Sequence, residues 1–306
     1  MSILTVLRDH LQALRPHQWV KNGFVFAPLI FSRQLLAEGA LLTSGLAVAA
    51  FCLVSSSIYL VNDSLDYERD QLHPKKRLRP IASGRVRRPI ALVLSLLTAA
   101  LGLSIASTLG PGTVWVIGGY GAMNLAYSLG LKEVLLVDVF LIAVGFLLRV
   151  TAGAFAIQVK LSPWLLLCTL SLALFLALCK RRHERSSLGE EAAAHRALLS
   201  RYTLPFLDQL ITVTASMTVM SYALYSIDPW VSERLGSNAL LLTLPFVLLG
   251  IFRYLAIVHL EGGGGSPTRV ALQDRTIQLI VALYLALAIV LIYYQVNLEL
   301  TPRSLQ

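Results

Sequence analysis

The chain is a succession of long apolar runs separated by short polar stretches. Residues 40–61 carry no charged side chain, and neither do 89–131, which Gly110-Pro111-Gly112 divides in two. Residues 134–157 hold Asp138 and Arg149 in an otherwise apolar run, and 161–179, 209–227, 235–252 and 276–298 are uncharged. Each is close to the roughly 20 apolar residues that cross a bilayer as an α-helix. These runs make eight spans, and a ninth, about 19–38, is interrupted by Arg33. Ahead of it, Ile3, Leu4, Leu7, Leu11 and Leu14 alternate with Arg8, Asp9 and Arg15, the pattern of an amphipathic helix lying on a membrane surface. The pattern predicts an all-α integral membrane protein with nine transmembrane helices. It forms one membrane domain over residues 1–306, with 1–18 as the interfacial helix and polar loops at 62–88, 180–205 and 259–275.

Composition agrees. Of 306 residues, 56% are apolar and 14% charged, and the mean hydropathy is +0.68. Soluble domains average about 45–50% apolar and about 25% charged, so a soluble globular chain and a disordered one are both excluded. The net charge of +9 would point to nucleic acid in a soluble protein; here it reports the side of a membrane, and no nucleic-acid partner is expected. With the N-terminus cytoplasmic and nine crossings, 21 Lys and Arg fall on the cytoplasmic side and 4 (Arg33, Lys160, Arg234, Arg303) on the other, with Arg149 inside a span. The positive-inside bias therefore places the N-terminus and the long polar loops in the cytoplasm, in a cell inner (plasma) membrane. The N-terminus lacks the basic start, apolar run and small-residue cleavage site of a signal peptide. Cys52, Cys168 and Cys179 lie in apolar runs without ligand spacing, which predicts neither a disulfide nor metal at sulfur.

The sharpest chemistry follows the second span: Asn62-Asp63-Ser64-Leu65-Asp66-Tyr67-Glu68-Arg69-Asp70. If the helix continues, Asp63, Asp66 and Asp70 share one face with Asn62 beside them. Like charges on one face at a membrane are costly, and a bound cation relieves them; hard oxygen ligands suit Mg²⁺, which takes one or two carboxylates plus substrate phosphates. The plain alternative is a solvated acidic helix end. Lys75, Lys76, Arg77 and Arg79 follow closely, a basic run that suits a polyanion or, more simply, anionic lipid. Lys180-Arg181-Arg182-His183-Glu184-Arg185 ends a later span, either as phosphate ligands or as positive-inside charge. Asp138 and Arg149, eleven residues apart on nearly one helix face, either line a cavity or are satisfied inside the bundle. Gly262-Gly263-Gly264-Gly265-Ser266 reads as a linker or a flexible lid. Asp274-Arg275 opens the last span as a lid contact or, more simply, a cap.

These residues carry a resemblance. N-D-x-x-D-x-x-x-D at the end of the second span resembles the first Asp-rich motif of the UbiA superfamily of intramembrane prenyltransferases. Arg15-Pro16-His17-Gln18-Trp19-Val20-Lys21-Asn22 is similar to that family's approach to its first span, and Tyr127-Ser128-Leu129-Gly130-Leu131-Lys132 to its segment after the fourth. The run Asp70–Gly84, with Asp138 and Arg149-x-x-x-Gly153, resembles the branch that moves phosphoribosyl onto decaprenyl phosphate. The sequence departs from the superfamily where a second Asp-rich motif is usual: Lys180–Arg185 stands there instead.

The resemblance implies a UbiA-type bundle and a Mg²⁺-dependent transfer of 5-phosphoribosyl from phosphoribosyl diphosphate to a polyprenyl phosphate. The product serves as an arabinose-donor precursor for cell-wall or other glycoconjugates. It implies Asn62, Asp63, Asp66 and Asp70 as metal ligands, and Asp63, Asp66 and Asp70 as catalytic. Lys75, Lys76, Arg77, Arg79, Lys180 and Arg181 would sit on the donor phosphates, and Lys21, Tyr127 and Lys132 on the acceptor phosphate. A prenyltransferase moving a prenyl group from prenyl diphosphate to an aromatic acceptor is the nearest alternative. A lipid flippase would explain the spans but not the clustered carboxylates. A homo-oligomer is compatible with the sequence.

Overall fold

The computed structural model describes residues 3–72, 74, 76–188 and 197–297. The amphipathic start forms α1 (Ile3–Ala13), with Leu4, Leu7 and Leu11 exposed along one side and Ala13 buried. Asp9 on the other side is buried and accepts a hydrogen bond from Arg85 of the first long loop. Arg15 takes a left-handed conformation (φ 54°), which turns the chain, and Pro16 begins a 3-10 segment, Pro16–Phe26, that passes into a short α2 (Ala27–Phe31).

An α-helical span over about 19–38 is thus not what forms. The reason lies in the spacing of its anchors. Trp19, Asn22 and Val25 recur every three residues, the 3-10 repeat, and all three meet the bundle. Trp19 Nε1 donates to Ser56 Oγ (3.0 Å), Asn22 Nδ2 to Ser55 Oγ (3.3 Å), and Val25 is 1% exposed. At about 2.0 Å per residue for the 3-10 part and about 1.5 Å for α2, the two together reach roughly 30 Å, near the thickness of a bilayer core.

Among the described residues, seven helices are long and apolar enough to cross a membrane. They are α3 (Ala40–Leu65), α5 (Arg88–Thr108), α7 (Val137–Ala156), α8 (Pro163–Leu188), α10 (Leu204–Ile227), α12 (Leu244–His259, with the 3-10 turn Ala239–Thr243 before it) and α14 (Arg275–Tyr293). α6 (Pro111–Leu129), with 19 residues, packs on α3, α5 and α7. The remaining elements are short: α4 (Tyr67–Leu72), α9 (Ala197–Arg201), α11 (Pro229–Leu235) and α13 (Pro267–Gln273). No strand occurs among the described residues. One core lies between α3, α5, α6 and α7 around Phe51, Ile117 and Tyr120; a second lies between α7, α8, α10 and α12 around Phe175, Tyr202 and Leu207.

Two close approaches depend on glycine. At Gly153 of α7, an added Cβ would sit 2.0 Å from the Val25 carbonyl oxygen, so the 3-10 segment lies directly on the α7 backbone. Gly153→Ala therefore forces the two apart and costs about 1–3 kcal/mol, read as a lower melting temperature in detergent. The glycine run is likewise packed. A Cβ at Gly263, Gly264 or Gly265 would lie 2.6 Å from Ile257, 2.5 Å from Val258 or 2.1 Å from the His183 ring. The His183 Nδ1 hydrogen-bonds the Gly262 carbonyl at 2.9 Å. The segment is fitted against α12 and the end of α8, which is not the behaviour of a loose linker. Its base is closed by Arg253 of α12, which donates to Glu261 (2.5 Å) and Asp274 (2.6 Å). Asp274 also caps α14 by accepting from Ile277 N at 2.8 Å, and the Arg253 hydrogen bond holds its carboxyl below the usual carboxylate range.

Candidate active site

The end of α3 does not continue as one helix through the acidic run. Ser64 Oγ donates to the Leu60 carbonyl (2.7 Å), and Asp66 caps the helix with φ −85°, ψ 8°, its N–H bonded to the Asn62 carbonyl (2.9 Å). A new turn, α4, begins at Tyr67. The break splits the carboxylates between two directions, so the single shared face expected from the spacing does not form. Asp63 and Asp70, each 2% exposed, meet at one guanidinium: Arg79 Nη1 lies 3.0 Å from Asp63 Oδ1 and 2.5 Å from Asp70 Oδ2. Asp63 Oδ1 also accepts from Arg15 Nη2 at 2.5 Å. Asp66 turns away to Lys132, whose Nζ is 3.1 Å from Oδ1 and 3.3 Å from Oδ2. Asn62 stays half-buried beside them.

The first loop is shaped to deliver Arg79. Ile81 and Val86, each 1% exposed, plug into a small core with Ala13, Leu60 and Ala91, which draws the loop back over the end of α3. Lys76 Nζ is 3.9 Å from Asp70 Oδ1, and burial, with Arg79 close by, holds its ammonium below the ordinary lysine value. Arg77 is exposed at the same surface. Lys75 lies outside the described residues. Arg15 is the cation that sequence reasoning did not assign to the site. Its signal was its place just before Pro16, where the chain enters the bundle, and its guanidinium also stacks over Tyr59, 4.9 Å from the ring centroid.

The basic end of α8 behaves differently from a uniform phosphate clamp. Arg181 is 2% exposed and turned into the bundle, donating from Nε to Asp138 Oδ2 (2.7 Å), from Nη1 to Glu184, and from Nη2 to the Tyr127 hydroxyl at 3.4 Å. Asp138, fully buried, also accepts from the Tyr202 hydroxyl (2.8 Å), which in turn accepts from Leu136 N (3.0 Å). The expectation that Arg181 faces a donor phosphate gives way to a buried network joining α6, α7, α8 and the chain just after α9. Tyr202 went unassigned because its sequence neighbours show no acid. Lys180, by contrast, is 40% exposed at the side chain, with Nζ 3.7 Å from Glu184. Arg182 pairs with Asp208 at 2.5 Å.

Arg149 is satisfied inside the bundle. Its Nε donates to Asn22 Oδ1 (2.9 Å), Nη1 to the Gly145 carbonyl (2.8 Å) and Nη2 to the Tyr120 hydroxyl (2.9 Å). The guanidinium carbon lies 4.8–5.2 Å from the ring centroids of Phe51, Tyr120 and Phe146. Of the two readings of Asp138 and Arg149, satisfaction inside the protein is the one observed. Lys21, next to Asn22 in the 3-10 segment, is half-buried.

Among the described residues no three His, Cys, Asp or Glu side chains converge as a ready-made metal cage. Asp63 and Asp70 nevertheless present two hard oxygens to one point that now holds positive charge. A divalent cation that takes one or two carboxylates and completes its shell from phosphate oxygens fits that donor set. The end of the bundle thus gathers three carboxylates under Arg15, Lys76, Arg79 and Lys132, an arrangement suited to a metal–polyphosphate ligand.

Comparison with known proteins bears on this arrangement. Residues 25–270 match the model of the UbiA prenyltransferase family. The decaprenyl-phosphate phosphoribosyltransferase of Corynebacterium glutamicum is 37% identical over 293 residues, covering 92% of this chain and 86% of that protein. The enzyme of that name from Mycolicibacterium smegmatis is 36% identical over 287 residues, covering 88% of each chain. In fold, the chain is similar to a UbiA homolog from Archaeoglobus fulgidus solved with GPP and Mg²⁺. That likeness has a TM-score of 0.72 at 16% identity, over 93% of this chain and 99% of that one.

Proposed function

Because the chain belongs to the UbiA prenyltransferase family and is a transferase, we propose that it moves 5-phosphoribosyl from phosphoribosyl diphosphate to a polyprenyl phosphate in a Mg²⁺-dependent reaction. The observation that carries this reading is the distribution of charge. One group of carboxylates, Asp63, Asp66 and Asp70, lies among basic side chains from three segments, and the end of α8 supplies Lys180 and Arg182 where a second acidic group would serve a prenyl diphosphate. A donor with an additional phosphate, meeting an acceptor that is itself a phosphate, calls for cations on that side.

Asp63 and Asp70 would hold the metal at their shared point, and Asp66, with Asn62 beside it, would join them once Lys132 passes from Asp66 to the acceptor phosphate. When bound, Mg²⁺ neutralises charge on the departing diphosphate. Arg15, Lys76, Arg77, Arg79 and Lys180 hold the donor phosphates, with Lys75 beside them in sequence. Lys21, Tyr127 and Lys132 receive the acceptor phosphate. An acceptor phosphate oxygen forms a bond to the ribose anomeric carbon while the bond to diphosphate breaks and the pair leaves with diphosphate. The attacking oxygen is already anionic, so no proton moves and no general base is needed; positioning and fixed charge lower the barrier. Arg181 acts through Asp138, Glu184 and Tyr127 and is a positioning residue.

The decisive assay incubates membranes with radiolabelled phosphoribosyl diphosphate and polyprenyl phosphate, with and without Mg²⁺. Label enters the lipid phase only with all three. Label entering an aromatic acceptor from prenyl diphosphate, with none from phosphoribosyl diphosphate, would overturn the reading. An arabinose-donor precursor is the use that the product's chemistry suits.

The reading includes nine crossings of the plasma membrane, the first made by Pro16–Phe31, with the N-terminus and loops 62–88 and 180–205 in the cytoplasm. Ser83 and Ser186 are both exposed. Cysteines placed at these two positions resist an impermeant thiol reagent in intact cells and react after permeabilisation. Labelling of either from outside would invert the orientation.

A further inference from the structure

Asp9 and Arg85 take no part in the chemistry above, yet they join the first long loop to α1. Arg85 Nη1 donates to Asp9 Oδ1 and to Gln12 Oε1 (3.2 Å), both on α1. Its Nη2 donates to the Leu78 carbonyl (2.8 Å) and its Nε to Ser83 Oγ (3.1 Å), both in the loop. Leu78 directly precedes Arg79, so one guanidinium fixes the backbone next to the residue that spans Asp63 and Asp70.

The far side of this tie is firmly held. Ser56 Oγ of α3 donates to the Leu14 carbonyl (2.8 Å), Arg15 is bonded to Asp63, and Ala13 packs with Leu60. α1 is thereby a strut fixed to α3. Asp9 is 3% exposed, and its Oδ2 has no hydrogen-bond partner among the described residues. A carboxylate buried in that way is weak support for stability, since well-packed apolar residues in place of such a pair are commonly neutral or stabilising. What the pair supplies is direction: a buried charge on α1 holds Arg85 in one geometry.

Direction matters when the site is filled. The loop runs from the end of α4 at Leu72 to the start of α5 at Arg88, and Arg79 on the two carboxylates is one of its holds. To serve donor phosphates, Arg79 has to leave Asp63 and Asp70. The loop then stays over α3 through the packing of Ile81 and Val86, the Gln71–Ala82 hydrogen bond (3.3 Å) and the Arg85 tie. Of these, the tie is the one that anchors the chain immediately before Arg79 to a fixed helix.

We propose that Asp9 and Arg85 are positioning residues of the transfer: by tying the loop to α1 they keep Arg79, with Lys76 and Arg77, over the donor phosphates once Arg79 has released the carboxylates. The proposal rests on the transfer reaction above.

The double variant Asp9→Leu/Arg85→Met separates direction from stability. It replaces the pair with apolar side chains, strands no buried charge, and should melt in detergent as the wild type does. Its KM for phosphoribosyl diphosphate is expected to rise about tenfold, the equivalent of one charge-assisted hydrogen bond lost from the phosphates. Both kcat and the KM for polyprenyl phosphate stay at their wild-type values, because Lys21 and Lys132 lie outside the loop. Asp9→Leu and Arg85→Met alone give about the same rise as the double variant, since either one cuts the tie. Arg87→Gln, the same loss of charge as Arg85→Met at an exposed position in the same loop, is the matched control and keeps the wild-type KM. A donor KM unchanged in the double variant, or raised equally in Arg87→Gln, overturns the proposal. Hydrogen exchange without substrate supplies an independent measurement. The Ser83 and Val86 amides, bonded to the Arg79 and Pro80 carbonyls at 2.9 Å each, exchange faster in the double variant; equal rates also overturn the proposal. If wild type consumes no phosphoribosyl diphosphate, the transfer reading falls, and the exchange rates still decide whether the tie holds the loop.

Discussion

Asp66→Asn is expected to lower the proposed transfer by about 10²–10³-fold, the loss typical of removing one preorganised charged group from a reacting site, while the protein remains folded. The two halves of this expectation have separate origins. Asp66 caps α3 with its backbone, which asparagine retains, and its side chain is 21% exposed, paired with a lysine that is 16% exposed. A pair so placed contributes roughly 0.2–1 kcal/mol, so the melting temperature in detergent barely moves. The activity falls because a neutral amide no longer offers a hard anionic oxygen to a divalent cation. Initial rates at saturating Mg²⁺, set beside the melting curves, check both halves. More than a tenth of the wild-type rate in Asp66→Asn removes that carboxylate from the reaction.

The largest stability effect is expected at Arg181. Replacing it with alanine leaves Asp138 buried and facing only Tyr202 of its two named partners, and breaking a buried ion pair from one side costs about 3–5 kcal/mol. Arg181→Ala should therefore unfold well below wild type in a detergent melt. Lys180→Ala, one residue away and half-exposed, should melt normally and instead weaken phosphoribosyl diphosphate binding about tenfold, the equivalent of one charge-assisted hydrogen bond. Equal melting temperatures for the two variants would contradict the inward placement of Arg181.

That contrast shows where the sequence is informative and where it falls short. Uncharged runs locate helices well, because a span must hide its backbone and tolerates few charges; α3, α5, α6 and α14 follow from that alone. The acidic run stands out for the same reason, as charge abutting a span. Spacing cannot show that the helix stops at Asp66, since three- and four-residue intervals are equally compatible with a break. Nor does a run such as Lys180-Arg181-Arg182 say which side chain turns inward. A helical reading of the preceding span contains the answer: Leu174, Leu178 and Arg181 share one face, and the two leucines are buried. Arg149 was legible as an intramembrane charge. Its partners were not, because Asn22 and Tyr120 come from distant parts of the chain.

The 3-10 winding of Pro16–Phe26 gives this stretch a reading frame of three. Trp19, Asn22 and Val25 stand one above another, reaching Ser56, Arg149 and the Gly153 backbone in turn. Deleting a single residue between Trp19 and Val25 rotates everything beyond it by about 120° and shortens it by about 2 Å. Deletion of Lys21 would thus carry Asn22 off Arg149 and leave a guanidinium in the bundle without its side-chain carbonyl. An insertion of three residues restores the column but adds about 6 Å, which pushes Val25 past Gly153. Neither change can be absorbed, so natural variation in this segment should proceed by substitution at fixed length.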